Sequence, residues 1–343
     1  MKTVVVHAPK DLRIEQAEIP PVGPHDVKVR LRAGGICGSD LHYYQHGGFG
    51  TIRLREPLIL GHEVAGEIVE TGAEVTRVTV GDRVAVNPSR ACGRCRFCLA
   101  GQPQHCLDMR FYGSAMRMPH VQGAFREVLV CEEAQALPVP PDLPFEHAAF
   151  AEPLAVCLHA TRQAGQVAGA RVLVTGMGPI GMLAMLAARH AGAREVVVTD
   201  VVDPPLALAR RLGADLGLNT RSDPQALDRF GTDKGHFDVV FEASGAGAAL
   251  AGALHAARPG ATIVQLGLGG EIPLPVNVLV AKEIALRGTF RFHEEFAWAV
   301  EIIAARRIDV TPLLTEVLKL DDAVAAFELA GDRGRSMKVQ LAL

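Results

Sequence analysis

The 343-residue sequence has no block of like charges, no low-complexity tract and no apolar run approaching the ~18 residues that a membrane-spanning helix needs. Lys and Arg total 35 against 38 Asp and Glu, and the net charge of −3 leaves no electrostatic footprint for nucleic acid or an anionic membrane. No internal repeat of solenoid or propeller period is present. The opening stretch "MKTVVVHAPKDLRIEQAEIP" is too polar, and too soon interrupted by Pro9, to read as a secretory signal. A cytoplasmic location is therefore expected, in which the seven cysteines are reduced thiols or metal ligands. These absences favour a small molecule as the partner.

What is present divides into two textures. Length alone favours two domains, since single cores stop growing at ~250–300 residues. Up to about residue 150 the chain reads as short strands with turn punctuation: "KTVVVHAP", "HDVKVRLRA", "HEVAGEIVE", "GDRVAVNP" and "AFREVLVC". From Ala170 the pattern becomes strand then helix, repeatedly, through "ARVLVTG", "IGMLAMLAARHAG", "EVVVTD", "PLALARRLGA", "FDVVFEASG", "ALAGALHAAR" and "TIVQLGL". Such alternation builds a parallel sheet with helices on both faces, so the fold class is α/β. Helical runs over 294–307 and 321–330 lead to a last strand, "MKVQLAL", which could return to the first domain.

The alternating half holds G-x-G-x-x-G as Gly176, Gly178 and Gly181, between an apolar strand and an amphipathic helix. Asp200 ends the following strand, about 20 residues on, where an acid can accept hydrogen bonds from an adenosine ribose. The glycines allow a tight turn and close approach of backbone to a pyrophosphate at the helix start near Pro179. An isolated glycine triplet is an ordinary turn; strand, helix and acid in register make this one a dinucleotide site. Asp200 would repel a 2′-phosphate, so NAD is favoured over NADP.

In "ACGRCRFCLAGQPQHC", Cys92, Cys95, Cys98 and Cys106 follow C-x2-C-x2-C-x7-C, a spacing that lets four thiolates close on one tetrahedral Zn2+. Disulfides and an iron–sulfur cluster are the weaker readings. A four-thiolate site has no open position, so catalysis belongs elsewhere. Of the other cysteines, Cys131 and Cys157 read as buried thiols, whereas Cys37 stands in "GGICGSDLHYY" beside Ser39, Asp40, His42 and Tyr43. With His62 and Glu63 of "LGHEVAG" and Glu152 of "FAEPLAV", it could give Zn2+ three protein ligands and an open position. Scattered as they are, these residues equally allow Cys37 to be a packing residue.

The combination of "GGICGSDLHYY", "GHE", the four-cysteine lobe, "AEPLAV" and "GMGPIG" resembles the zinc-dependent medium-chain dehydrogenases, in their polyol (sorbitol) dehydrogenase branch, over nearly the whole chain. Within it, "NPSRACGRC", "DMRFYGSAM", "PHVQGAF" and "LRGTFRF" resemble the members that oxidise L-idonate. The resemblance implies a GroES-like catalytic domain over 1–153 and 291–343, with its zinc lobe near 90–110, and a Rossmann domain over 154–290. It implies a catalytic zinc on Cys37, His62 and either Glu63 or Glu152, a second, structural zinc, and NAD, with NADP possible. It implies a proton path through Ser39 and His42 and cofactor contacts that include Ile180, Leu266 and Gly267. Tyr43, Arg110 and Arg291 become substrate candidates, with Arg117 a weaker one, and Asp40 caps the helix that carries His42. A homo-oligomer, dimer or tetramer, is expected.

Two departures matter. "VVDPP" after Asp200 lacks the arginine that relatives often place there, and Phe292 in "TFRF" stands where sorbitol dehydrogenases commonly have tyrosine. The expected reaction is oxidation of L-idonate at C5 to 5-keto-D-gluconate. The alternatives are a sorbitol, xylitol or L-threonine 3-dehydrogenase, or a silent nucleotide- or zinc-binding protein.

Overall fold

A computed structural model describes residues 1–343, which divide into two compact units: Met1–Glu152 with Phe296–Leu343, and Pro153–Glu295.

In the first unit a seven-stranded sheet is built around Asp26–Gly35, which pairs antiparallel with Glu63–Thr71, Val128–Glu132 and the C-terminal strand Lys338–Ala342. Alternation explains the pairing. In Asp26–Gly35 the residues Val27, Val29 and Leu31 point into one core with Val64, Ile68, Val84, Val86 and Leu129. A second core gathers Val4, Val6, Tyr43, Tyr44, Leu58, Phe125, Phe327 and Leu341. The C-terminal segment contributes a strand that the sequence pattern did not reveal, Leu314–Lys319, parallel to Lys338–Ala342. Its side chains are largely exposed, so no apolar alternation marks it.

The second unit is a six-stranded parallel sheet in the order Leu216–Asn219, Glu195–Asp200, Arg171–Thr175, Phe237–Glu242, Ala257–Gln265, Ala285–Gly288. This is a Rossmann sheet. The chain winds outward from Arg171–Thr175 in one direction, then returns beside it with Phe237–Glu242 and winds the other way. Ligands of open α/β sheets bind at that reversal, beyond the carboxyl ends of the strands. The strand Ala257–Gln265 begins earlier than "TIVQLGL" suggests, because a register shift absorbs Pro259 and Gly260. No helix is long and apolar enough to cross a membrane.

Candidate active site

Cys37 caps the helix Gly38–His46, and Asp40 in its first turn accepts the Cys37 N–H at 3.0 Å. The other Asp40 oxygen accepts the Gly61 N–H at 3.1 Å, which ties the helix start to the residue before His62. Asp40 thus caps the helix, as expected, and also joins the two segments that carry Cys37 and His62. Glu63 begins the strand Glu63–Thr71 and pairs across the sheet with Gly35. A side chain at Gly35 would displace the Glu63 carboxylate and crowd Lys338, so glycine leaves both in place. The sulfur of Cys37, a ring nitrogen of His62 and a carboxylate oxygen of Glu63 lie within 4.8 Å of one another.

Electrostatics say what this trio lacks. Burial pushes the Cys37 thiol up to about 12, with the Glu63 carboxylate adding to the effect. Burial likewise raises Glu152 to about 8, opposed by His62 and reinforced by Glu63 and Cys37. His62 Nδ1 is buried without a hydrogen-bond partner, and Asp40 Oδ1 stands 3.8 Å from it. Buried thiol, imidazole and carboxylate without enough positive charge are the donor set of a borderline-soft divalent cation. The residues therefore fit Zn2+. Glu152 is buried near them, outside the group whose ligand atoms lie within 4.8 Å of one another.

Cys92, Cys95, Cys98 and Cys106 form a separate set, also within 4.8 Å of one another. Cys95 and Cys98 sulfurs are 3.5 Å apart and all seven cysteines are free thiols. Backbone N–H groups, that of Cys98 first, pull the Cys95 thiol down to about 6, and the N–H groups of Cys92 and Asp108 point at Cys106 sulfur at 3.2 and 3.3 Å. Main-chain donors aimed at sulfur favour thiolates, the form a metal binds.

In the second unit, Gly176 follows the strand Arg171–Thr175 with φ +82°, and Gly178 caps the helix Pro179–His190. A Cβ at Gly176 would come within 2.7 Å of Ser244, and one at Gly181 would run into the Gly176 carbonyl oxygen. Nothing lies within 4 Å of a Cβ built on Gly178, so the turn is open on that side. Ile180 lies in the first turn of the helix. Asp200 Oδ2 accepts the Met177 N–H at 2.6 Å and Oδ1 those of Val201 and Val202, which fixes the acid beside the glycine turn. Leu266 and Gly267 both donate their N–H groups to the Glu242 carbonyl, at 2.8 and 2.9 Å.

Comparison with known proteins agrees with this geometry. Residues 23–141 match the family model of the alcohol dehydrogenase GroES-like domain, and residues 179–305 that of the zinc-binding dehydrogenases. An L-idonate 5-dehydrogenase (NAD(P)(+)) from Escherichia coli K12 is 42% identical over 91% of this chain and 90% of its own length. A sorbitol dehydrogenase from Bacillus subtilis is 36% identical over 96% of this chain and 93% of its own. The crystal structure of L-idonate 5-dehydrogenase from Escherichia coli superposes with a TM-score of 0.96 at 40% identity, covering 100% of this chain and 98% of that one. The chain belongs to the zinc-dependent medium-chain dehydrogenases. It is an NAD(P)-dependent alcohol dehydrogenase with a GroES-like and a Rossmann portion.

Within this dehydrogenase the helix Gly38–His46 has two faces. Asp40, Tyr43 and Tyr44 are buried on one; Ser39 and His42, three residues apart, share another, and the Ser39 hydroxyl hydrogen-bonds the Cys37 sulfur. Burial, and then His46, lower the pKa of His42. Tyr43, the tyrosine expected at the substrate, lies on the buried face. It is 2% exposed, belongs to the apolar core, and its hydroxyl oxygen accepts the Ala115 N–H at 3.0 Å.

Arg110 is the next substrate candidate. It is exposed in the two-residue strand Arg110–Phe111, and the Phe111 ring stands 5.4 Å from that of His62. Arg117 pairs with Asp108 at the lobe. Arg291 has φ +56° and its guanidinium lies 4.7 Å from the Phe290 ring centroid, while Phe292 is 2% exposed.

Sequence reasoning missed Lys338. It is 3% exposed, its Nζ pairs with Glu63 Oε2, and it donates to the Ile36 carbonyl at 3.0 Å. The sequence misled: Lys338 and Gln340 alternate with apolar residues in "MKVQLAL", a pattern that reads as a solvent face. Here both are buried.

Proposed function

We propose that this dehydrogenase oxidises a secondary alcohol of a sugar acid or polyol, with L-idonate to 5-keto-D-gluconate as the leading reaction and NAD as the favoured acceptor. The observation that carries the chemistry is the buried convergence of Cys37, His62 and Glu63 beside the Ser39–His42 face of one helix. For the substrate, support comes from the 42% identical relative named for L-idonate, from a 36% identical Vitis vinifera relative of the same name, and from Phe292. The sorbitol dehydrogenase relatives support a neutral polyol as the second reading.

When bound, Zn2+ supplies a Lewis acid of the kind that takes water from a pKa of ~15.7 to ~7, and NAD supplies a hydride acceptor. The chain's own residues do the rest. Cys37, His62 and Glu63 would hold the metal, with Glu152 close by and Asp40 fixing the spacing of the first two. Lys338 offsets part of the negative charge of Cys37 and Glu63. An alcohol losing hydride must also lose its hydroxyl proton. Ser39 can accept that proton and donate its own onward, and His42, held neutral by its lowered pKa, can receive one. At the second unit the glycine turn would hold the pyrophosphate, and Asp200 the adenosine ribose.

Steady-state assays with L-idonate, sorbitol, xylitol and L-threonine, each with NAD and NADP, test the reading. The expected result is a kcat/KM for L-idonate at least about tenfold above sorbitol, a difference of ~1.4 kcal/mol in transition-state binding. A preference for sorbitol or threonine overturns the substrate assignment and leaves the chemistry standing.

A further inference from the structure

The Rossmann sheet reverses direction between Arg171–Thr175 and Phe237–Glu242, and Glu242 is the last residue of the second of these strands. It is fully buried. Its Oε1 accepts from Thr175 Oγ1 at 3.1 Å, from Ser244 N at 2.9 Å and from the Ser244 hydroxyl. Its Oε2 accepts from Gly245 N at 3.0 Å and from Gln265 Nε2. All of these partners donate, so the site is built for an acceptor on both oxygens, which is a carboxylate. The donors come from the ends of three adjacent strands: 175 before the glycine turn, 244–245 against Gly176, and 265 before Leu266 and Gly267.

Gln265 completes the arrangement. Its Nε2 also donates to the Gly267 carbonyl at 2.9 Å, and both of its neighbours are acceptors, which fixes the amide orientation. That leaves Gln265 Oε1 buried with no partner. A buried acceptor without a donor beside a ligand crevice is a place where a ligand donor belongs.

We propose that Glu242 and Gln265 are the positioning pair of the cofactor site: the Glu242 carboxylate clamps the three strand-end loops in the geometry that receives the dinucleotide, and Gln265 transmits the clamp to Leu266 and Gly267. This rests on reading the glycine turn as the cofactor site. Glu242→Gln keeps the shape but sets an amide N–H2 against backbone or side-chain donors. It is expected to raise the Kd for NADH, followed by nicotinamide fluorescence, about 10- to 100-fold, the scale of one charge-assisted hydrogen bond of ~1.5–3 kcal/mol. KM for NAD should rise with it, while kcat at saturating NAD and zinc content change little.

Gln265→Leu leaves the carboxylate and its other donors in place and should weaken NADH about 5- to 10-fold, the scale of one neutral hydrogen bond, so the inference remains testable if the Glu242 variant fails to fold. Parent-like NADH affinity in either folded variant, or a fall in kcat with KM unchanged, overturns the pair. Gly181→Val separates the two levels. If it binds NADH normally the glycine-turn reading has failed; if it does not bind while Glu242→Gln binds like the parent, only the positioning role has failed.

Discussion

The chain carries two sets of metal-ligating side chains that differ in every respect except their compactness. Cys92, Cys95, Cys98 and Cys106 come from one loop, are four of a kind, and lie near the surface with main-chain N–H groups turned toward sulfur. Cys37, His62 and Glu63 come from two separate segments, differ in chemistry, and include a buried His62 and a buried Glu63 that pairs with Lys338 from the chain's last strand. The first set needs only its own loop. The second needs the sheet to be complete, since Asp26–Gly35 must pair with both Glu63–Thr71 and Lys338–Ala342 before ligands and counter-charge meet. A closed four-thiolate set serves stability, and a mixed set with an open position serves chemistry.

Variants can break this contrast. The largest effect is expected of Cys37→Ala: loss of turnover by more than about 1000-fold, at least ~4 kcal/mol in activation free energy, with the fold kept. Circular dichroism and initial rates on the same sample check it.

Next is Lys338→Met, which leaves the Glu63 carboxylate buried without its cation. Removing one partner of a buried pair costs about 3–5 kcal/mol, and here the loss should be larger in chelator-treated protein than in zinc-loaded protein, because the metal supplies positive charge to the same carboxylate. Urea unfolding with and without chelator measures both. Equal losses would mean that Glu63 does not face the metal.

His42→Ala should slow alcohol oxidation near neutral pH about 10- to 100-fold, within the usual range of lost proton transfer, with recovery at high pH where hydroxide accepts the proton directly. The parent rate should fall on the acid side only below the ordinary histidine range. His42 has a lowered pKa, so it stays neutral and able to accept until the pH drops through that lower value. A pH profile unchanged by the substitution removes His42 from the proton path.

The smallest effect is expected of Arg110→Ala, less than about twofold in kcat/KM for L-idonate, as for an exposed side chain. A loss confined to L-idonate and absent with sorbitol would return Arg110 to the substrate site.

The contrast also explains what the sequence disclosed. Strands with apolar alternation or long apolar runs were legible, Asp26–Gly35 and Glu195–Asp200 among them, because one or both faces are buried. The exposed strand Leu314–Lys319 carried no such mark. The lobe was legible because its ligands are local. Cys37, His62 and Glu63 were candidates by chemistry alone and were singled out by likeness to a family, and Lys338 and Glu242 escaped because a buried charge in a strand looks like a solvent-facing one until its neighbours are known. Tyr43 was placed at the substrate by the same likeness. In the fold it shares one buried helix face with Asp40 and Tyr44.

Zinc content and turnover measured together on the parent, Cys37→Ala and Cys95→Ala decide whether one set holds the fold and the other the chemistry. The parent should carry two zinc ions per chain, and each variant one. Cys37→Ala should melt near the parent temperature without turnover. Cys95→Ala should melt lower by several degrees, since structural zinc binding is coupled to local folding, and should still turn over below its melting temperature. Turnover retained in Cys37→Ala, or abolished in folded Cys95→Ala, would contradict that division of roles.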